Sequence, residues 1–405
     1  MAFTSFTFPP STPVFPRAVL VQNYLESYAA HFNLTPHIRF ETAVQVVQRD
    51  TSKWKVQIST GETLDFDLVI VGNGHYRIPR YPDTPGLSEW FTSGKASHAA
   101  WYRRPHNLGN TVMVVGAGPS GKDIVAEMRT VARVVIHSST GTTAEDIGNL
   151  KLRGRVTRFG GNRQVMFEDG STESGIDHCI LATGYEMSFP FFSSNVTQHG
   201  LPPPAPPLPR ELYNSTYHVF PLAKHMFPLQ AKFPPSSLAF IGLLVKVAPF
   251  PLLEAQACAV MHAFARPDAL EATREAVDII TRYEQLREEL GDDSLSIAKA
   301  WHRFKDHEQF DYRDRMYEFA APSMGEGQRE RIMVPEWQKE MYNKKDVLRR
   351  VWIKLVKSGE ADEWVKGVGE NGSHEWIDLL KKMLRRAKEA DEHVSDVEGS
   401  DKLKL

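Results

Sequence analysis

The stretch at residues 112–128, VMVVGAGPSGKDIVAEM, constrains this chain more than any other. Val112, Met113, Val114 and Val115 read as a buried strand, a GxGxxG turn follows, and Pro119 opens a helix where its missing N–H costs little. Each glycine answers a separate steric demand. Gly116 permits the tight strand-to-helix turn, Gly118 lets the backbone come close to a pyrophosphate, and Gly121 lets the helix settle on its strand. The helix N-terminus then offers unpaired N–H groups and about half a positive charge. The Ser120 hydroxyl lies inside the turn, and residues 133–137 read as the next strand of a βαβ unit. A dinucleotide site is therefore expected at Gly116, Gly118, Ser120 and Gly121.

The end of that second strand chooses the dinucleotide. An Asp or Glu there binds the ribose 2′-OH of NAD. This sequence has His137, Ser138, Ser139 and Thr140 instead, so no carboxylate repels a 2′-phosphate and several hydroxyls, Ser138 among them, are available to meet one. NADP is expected, although no arginine directly follows Ser139.

A fingerprint usually opens such a domain, yet this one begins only at Val112, with a long stretch of chain ahead of it. Residues 18–32 read as a helix with Val21, Leu25, Tyr28 and Phe32 on one face, and residues 38–47, 54–58 and 66–71 as strands, the last ending in Gly72, Asn73 and Gly74. Beyond the βαβ unit, strands at 151–157, 164–167 and 179–181 lead to Ala182, Thr183, Gly184 and Tyr185. Two strand-to-glycine junctions thus bracket the unit, as they would if it were inserted into another domain. The proline-rich stretch 201–210 excludes helix and interior strand and reads as a surface loop. Residues 251–264 read as a helix with Glu254 in its first turn. The C-terminal region is helical and charged, with Ser373 as N-cap, Trp376, Leu379, Leu380, Met383 and Leu384 as one apolar stripe, and a disordered tail from Ala387.

Composition removes other classes. With 48 basic and 50 acidic residues the net charge is −2, so no broad positive field draws nucleic acid or an anionic membrane. Two cysteines, Cys179 and Cys258, form no CxxC pair, which disfavours a dithiol reductase and points to a reducing compartment. Prolines at 9, 10, 13 and 16 break the N-terminal segment, and the most apolar run, 238–253, contains Lys246, Pro249 and Pro251. No transmembrane segment is expected, and the cytoplasm is the expected location. His75 and His98 read as loop hydrogen-bonders, and His302 and His307 as residues of a charged helix face, with no metal site among them.

Residues 93–104, SGKASHAAWYRR, place Gly94, His98 and Tyr102 at the spacing of the identifying motif of flavin-containing monooxygenases, FxGxxxHxxx(Y/F). Phe91 stands one residue too far upstream, which implies a one-residue shift in that loop. Tyr102 at the last position is similar to the N- and S-oxygenating branch, where the Baeyer–Villiger relatives carry Trp and then Pro or Asp. MAFTSFTFPPSTPVFP, VIVGNGHYRIPRYPDTPG, LATGYEMSFPFF, FIGLLVKVAPFPLLEAQA and HEQFDYRDRMYEFA resemble further segments of the same family, nearly continuously to about Ala321.

That resemblance implies an α/β flavoprotein with two dinucleotide-binding domains: part of an FAD domain at 1–107, an inserted Rossmann NADP domain at 108–185, the FAD domain continued at 186–330, and a helical C-terminal extension at 331–405. It implies Gly116, Gly118, Ser120 and Gly121 on NADP, with Gly242, Glu254 and Gln256 near the flavin. His98 belongs to the linker and is no base. In such enzymes NADPH reduces FAD, O2 gives a C4a-hydroperoxide, and a small-molecule amine or sulfide takes the oxygen; a homodimer is compatible with this reading. The competing reading is a non-catalytic NADP-binding or interaction protein.

The family's FAD fingerprint, and the asparagine that supports its oxygenated flavin, lie ahead of the segment matching MAFTSFTFPPSTPVFP; Asn73 sits in a different motif. The first FAD βαβ unit is therefore expected to be missing from this chain, leaving core strands with unpaired edges. Such a chain, purified alone, is expected to hold FAD weakly or not at all. Stoichiometric yellow flavin in its visible spectrum would contradict this.

Overall fold

The computed structural model describes residues 2–305, 307–325 and 333–401. The chain divides into two compact units, one of residues Gly74–Ser188 and one of Met1–Asn73 with Phe189–Leu405.

Gly74–Ser188 is built on a six-stranded sheet, in spatial order Ala96–His98, His178–Leu181, Thr111–Val115, Val134–Ser138, Leu150–Arg153 and Glu145–Ile147. All neighbours are parallel except the last pair. The near-continuous apolar runs at 112–115 and 179–181 follow from this, because a parallel strand buried on both faces has no solvent side to mark with polar residues. Side chains still alternate. Val112, Val114 and Val135 face helix Pro119–Met128, where they meet Ile124, Val125 and Met128. Met113, Ile136, Cys179 and Leu181 face the other way, against Trp90, Val156, Phe159, Val165 and Phe167. Those last four belong to a separate antiparallel sheet of Val156–Phe159, Val165–Phe167 and Thr172–Glu173.

Two expectations change here. The unit runs from Gly74 to Ser188 rather than over the expected 108–185, because Ala96–His98 forms an edge of the sheet and Ile78–Pro79 pairs antiparallel with Tyr185–Glu186. The single strand expected at 151–157 is two strands in two sheets, broken at Gly154 and Arg155 so that Val156 and Phe159 reach the opposite layer.

In the other unit, Val44–Asp50, Lys53–Ile58 and Thr63–Phe66 form an antiparallel meander. Trp54, Val56 and Ile58 are buried and Lys53 and Gln57 exposed, the period of two that a half-buried strand requires. The run expected at 66–71 divides: Phe66 closes the meander, and Val69–Val71 pairs parallel with Leu238–Phe240. Among the described residues these two strands make a sheet of their own, with Leu238, Ala239 and Phe240 buried and Leu68 and Ile70 exposed. Helix Ala18–His31 is anchored by Tyr24, with Leu25 and Phe32 exposed, contrary to the face expected from spacing. The reason is the Phe-rich N-terminal segment, whose Phe3, Phe6 and Phe8 rings cover Tyr24.

Helix Pro249–Ala265 packs against Glu308–Ala320 through Leu252, Ala255, Ala259, Tyr312 and Met316. Lys345–Ser358 buries Leu348, Val351, Trp352 and Leu355, the helical i, i+3, i+4, i+7 stripe, and stops at Gly359 in the left-handed region, φ 77°. The Trp376–Leu384 stripe packs on that helix. The last helix is His374–Asp401, so the tail expected from Ala387 continues as helix to Asp401, helped by Ala387 extending the stripe; residues 402–405 lie outside the described residues. No helix among the described residues is long and apolar enough to cross a membrane.

His302 is buried and not on a charged face: its Nε2 accepts from Val219 N–H at 3.3 Å, and its Nδ1 meets His225 Nδ1 at 3.2 Å. Nearby, His218 Nδ1 pairs with Ser215 Oγ at 2.5 Å. Burial pushes the His218 imidazole down to about 4, and holds His225 well below its ordinary value, with Arg282 and Arg315 adding to the effect. The unfolded chain protonates these rings near 6.5 whereas the folded one resists, so their contribution is full above about pH 6.5 and declines as pH falls. His218 alone should make the fold roughly 2 kcal/mol less stable at pH 5 than at pH 7.5. Urea titrations should show the loss, and His218→Gln should flatten it; equal pH dependence in both proteins would refute the assignment.

Candidate nucleotide and flavin sites

The fingerprint strand Thr111–Val115 delivers the chain to Gly116 at φ 115°, a backbone few other residues adopt. A Cβ there would lie 2.3 Å from the Ala182 carbonyl oxygen, and one at Gly121 would lie 1.9 Å from the Gly116 carbonyl oxygen. At Gly118 the space is open, with nothing within 4 Å of the place a Cβ would occupy. The two close contacts are packing demands, whereas Gly118 leaves its backbone bare. Helix Pro119–Met128 has no side-chain cap at its N-terminus, and Ser120 is exposed in its first turn. Uncapped N–H groups at an exposed helix start are ready partners for an anion.

The neighbouring strand is tied to this turn. Gly116 N–H donates to Ser138 O at 2.8 Å, and His137 Nε2 lies 3.0 Å from Gly116 O. Ser138 itself is fully buried, and its hydroxyl donates to Gly154 O at 2.7 Å. Its one proton is committed inside the sheet. Ser139 is partly exposed and its hydroxyl pairs with Thr142 Oγ1 at 2.6 Å.

The linker motif braces the same unit. His98 is buried, its Nδ1 accepts from Ala100 N–H at 3.1 Å, and its ring meets Tyr81 and Tyr185 edge-on at 5.6 and 5.4 Å. Burial holds its pKa below the ordinary histidine value, with a partly opposing contribution from the Gly184 backbone, so the ring stays neutral and structural. Tyr102 donates to Glu127 Oε2 at 2.8 Å, joining the motif to the fingerprint helix.

Gly242, Glu254 and Gln256 belong to the other unit. Strands Val69–Val71 and Leu238–Phe240 end together, with Ile241 N–H donating to Val71 O at 2.9 Å, and their exits carry Gly72 and Gly242. Gly242 has φ 84°, while Gly72 has nothing within 4 Å of a Cβ position. Gln256 is fully buried and committed at both ends: its Oε1 accepts from Gly242 N–H at 2.9 Å and its Nε2 donates to Tyr312 Oη at 3.0 Å. Tyr312 in turn donates to Lys224 O at 2.8 Å. The Glu254 carboxylate accepts from Thr4 N–H at 2.6 Å and from the Ser5 hydroxyl at 2.9 Å. Spacing alone does not reveal these partners, because Tyr312 lies 56 positions from Gln256 and Thr4 lies 250 from Glu254. Among the described residues no group of His, Cys, Asp or Glu is placed to hold a metal, and both cysteines are free.

The chain as a whole is similar to known proteins. The chain is 31% identical over 279 residues to the thiol-specific monooxygenase of Saccharomyces cerevisiae, covering 66% of this chain and 62% of that protein. It is 29% identical over 368 residues to the flavin-containing monooxygenase FMO GS-OX-like 4 of Arabidopsis thaliana, covering 86% and 73%. The structure of S-allyl-L-cysteine S-oxygenase from Allium sativum superposes with a TM-score of 0.68 at 25% identity, over 95% of this chain and 82% of that one. The profile described as Flavin-binding monooxygenase-like matches residues 1–145 and 144–319, and the chain belongs to that family.

Proposed function

We propose that this chain acts in the NADPH- and FAD-dependent oxygenation of a soft nucleophile of a small molecule. The observation that carries the reading is the open glycine turn before an uncapped helix, set in a chain of this family. The net change is NADPH, a proton, O2 and substrate going to NADP+, water and oxygenated substrate. Sulfur is favoured over nitrogen, because two of the relatives are named for a thiol and for an S-oxygenation. O2 and the sulfide are the partners, and the free, largely shielded cysteines suit the cytoplasm.

Gly116, Gly118, Ser120 and Gly121 are assigned to NADP. Gly118 leaves room for the pyrophosphate, the first-turn N–H groups and the Ser120 hydroxyl donate to it, and Gly116 and Gly121 hold the turn against the helix. Gly72 and Gly242 present bare backbone to the flavin, whose bound form supplies the redox and oxygen-activating chemistry. Gln256 and Tyr312 fix the Gly242 N–H, and Glu254 pins the N-terminal segment, so both predicted side chains act as supports. Ser138 has the same supporting character.

Incubation with FAD, NADPH, 18O2 and a dialkyl sulfide should consume NADPH and give sulfoxide carrying one 18O. NADP binding with no NADPH oxidation would favour a binding protein instead. Gly118→Ala should keep its melting temperature, since φ −68° suits alanine, yet raise the NADP+ dissociation constant about tenfold or more by filling the approach path. Gly121→Ala, with its Cβ 1.9 Å from a carbonyl oxygen, should lower the melting temperature as well. Calorimetric titration and thermal melts report both, and undiminished NADP+ affinity in Gly118→Ala would reject the assignment.

A further inference from the structure

We propose that Arg155 recognises the 2′-phosphate of NADP and makes the nucleotide site selective for it. The inference rests on the NADP reading above and adds the residue that reads the phosphate.

The register of the sheet puts Arg155 in position. Val115 pairs with Ser138, and Ser138 pairs with Arg153, so the ends of the three strands lie on one line across the sheet. With neighbouring strands about 4.8 Å apart, the exit of the third strand stands about 10 Å from the glycine turn. In this architecture the adenosine ribose extends from the pyrophosphate toward the end of the second strand, the direction in which that line runs.

Ser138, the residue at the expected place, cannot donate to a phosphate, because its buried hydroxyl already donates to Gly154 O. That bond has a second effect. It fixes the peptide carbonyl immediately before Arg155, and Ser139 N–H donating to Arg153 O at 3.1 Å closes the same corner. Arg155 therefore leaves the sheet beside the Ser139–Thr142 turn.

Glu168 holds it there. One carboxylate oxygen accepts from Arg155 N–H at 2.9 Å, the other lies 3.4 Å from Arg155 Nε, and the Gly141 backbone bonds the same carboxylate. A single side chain thus links Arg155 to the loop that follows Ser138. Gly154 makes the room, since a Cβ there would lie 2.9 Å from Glu168 Oε1.

Of the two arginines at this edge, only Arg155 has donors to spare. Arg153 is 12% exposed and its guanidinium is occupied by Asp146 at 2.7 Å and Glu173 at 2.5 Å. Arg155 is 60% exposed, and among the described residues Nε makes its one side-chain hydrogen bond. Its two Nη groups supply the forked donor geometry that suits a phosphate.

The test is calorimetric titration of the full chain with NADP+ and with NAD+. Wild type should bind NADP+ more tightly. Arg155→Gln should weaken NADP+ roughly ten- to a hundredfold, the worth of charge-assisted hydrogen bonds, and leave NAD+ within about twofold. Arg155→Lys should recover part of the loss, as a point charge replaces the fork. Glu168→Gln, which keeps one acceptor oxygen for Arg155 N–H but removes a negative charge, should bind NADP+ at least as well as wild type. Equal weakening of both nucleotides, or no change for NADP+ in Arg155→Gln, would overturn the role of Arg155. Equal wild-type affinity for both would overturn it too while leaving the nucleotide site standing, whereas binding of neither by wild type would remove the site and the proposal together.

Discussion

Much of the unit of residues 74–188 depends on one close approach, the Gly116 carbonyl oxygen lying where a side chain at residue 121 would begin. Only with hydrogen at that position can the fingerprint helix come down onto its strand. That descent packs Ile124, Val125 and Met128 against Val112, Val114 and Val135, and it sets the helix N-terminus over the strand ends. The same geometry that buries an apolar layer thus exposes a row of N–H donors. Packing and the display of those donors are two results of one steric allowance.

The glycine turn, its strands and its helix are legible in the sequence because they are local: each is specified by residues within a few positions, with apolar periodicity and a proline start. The inserted character of the unit is legible as two similar glycine junctions. What escapes are tertiary choices. Residues 151–157 alternate well enough for one strand, and nothing local says that Val156 and Phe159 will turn to a second sheet. Helix Ala18–His31 shows a plausible apolar face, yet Tyr24 is the residue buried, because three phenylalanines from the preceding segment decide the matter. His302 reads as one more polar residue in a charged region and lies instead among buried aromatics and histidines.

The site residues divide in the same way. The steric demands at Gly116 and Gly121 are legible in the sequence because they rest on the absence of a side chain, which any context preserves. The roles of Ser138, Glu254 and Gln256 are not, since a polar side chain acts through whatever partner the fold supplies. Here the partners are Gly154 O, the Thr4 and Ser5 segment, and the pair of Gly242 and Tyr312. Each spends its hydrogen bonds on holding backbone in place, the common fate of buried polar groups.

The pairing of Ile78–Pro79 with Tyr185–Glu186 has a consequence for the chain as a whole. It joins the incoming and outgoing segments of residues 74–188 side by side, reinforced by Arg80 N–H donating to Gly184 O at 2.9 Å and Thr183 Oγ1 donating to Arg80 O at 2.6 Å. A unit whose two ends meet makes almost no topological demand on its host, for the host chain departs and returns at one point, as across a tight turn. Lengthening, replacing or transplanting the whole unit then becomes a change at a single point of the chain's course, which is how a domain can travel between proteins without unravelling either partner.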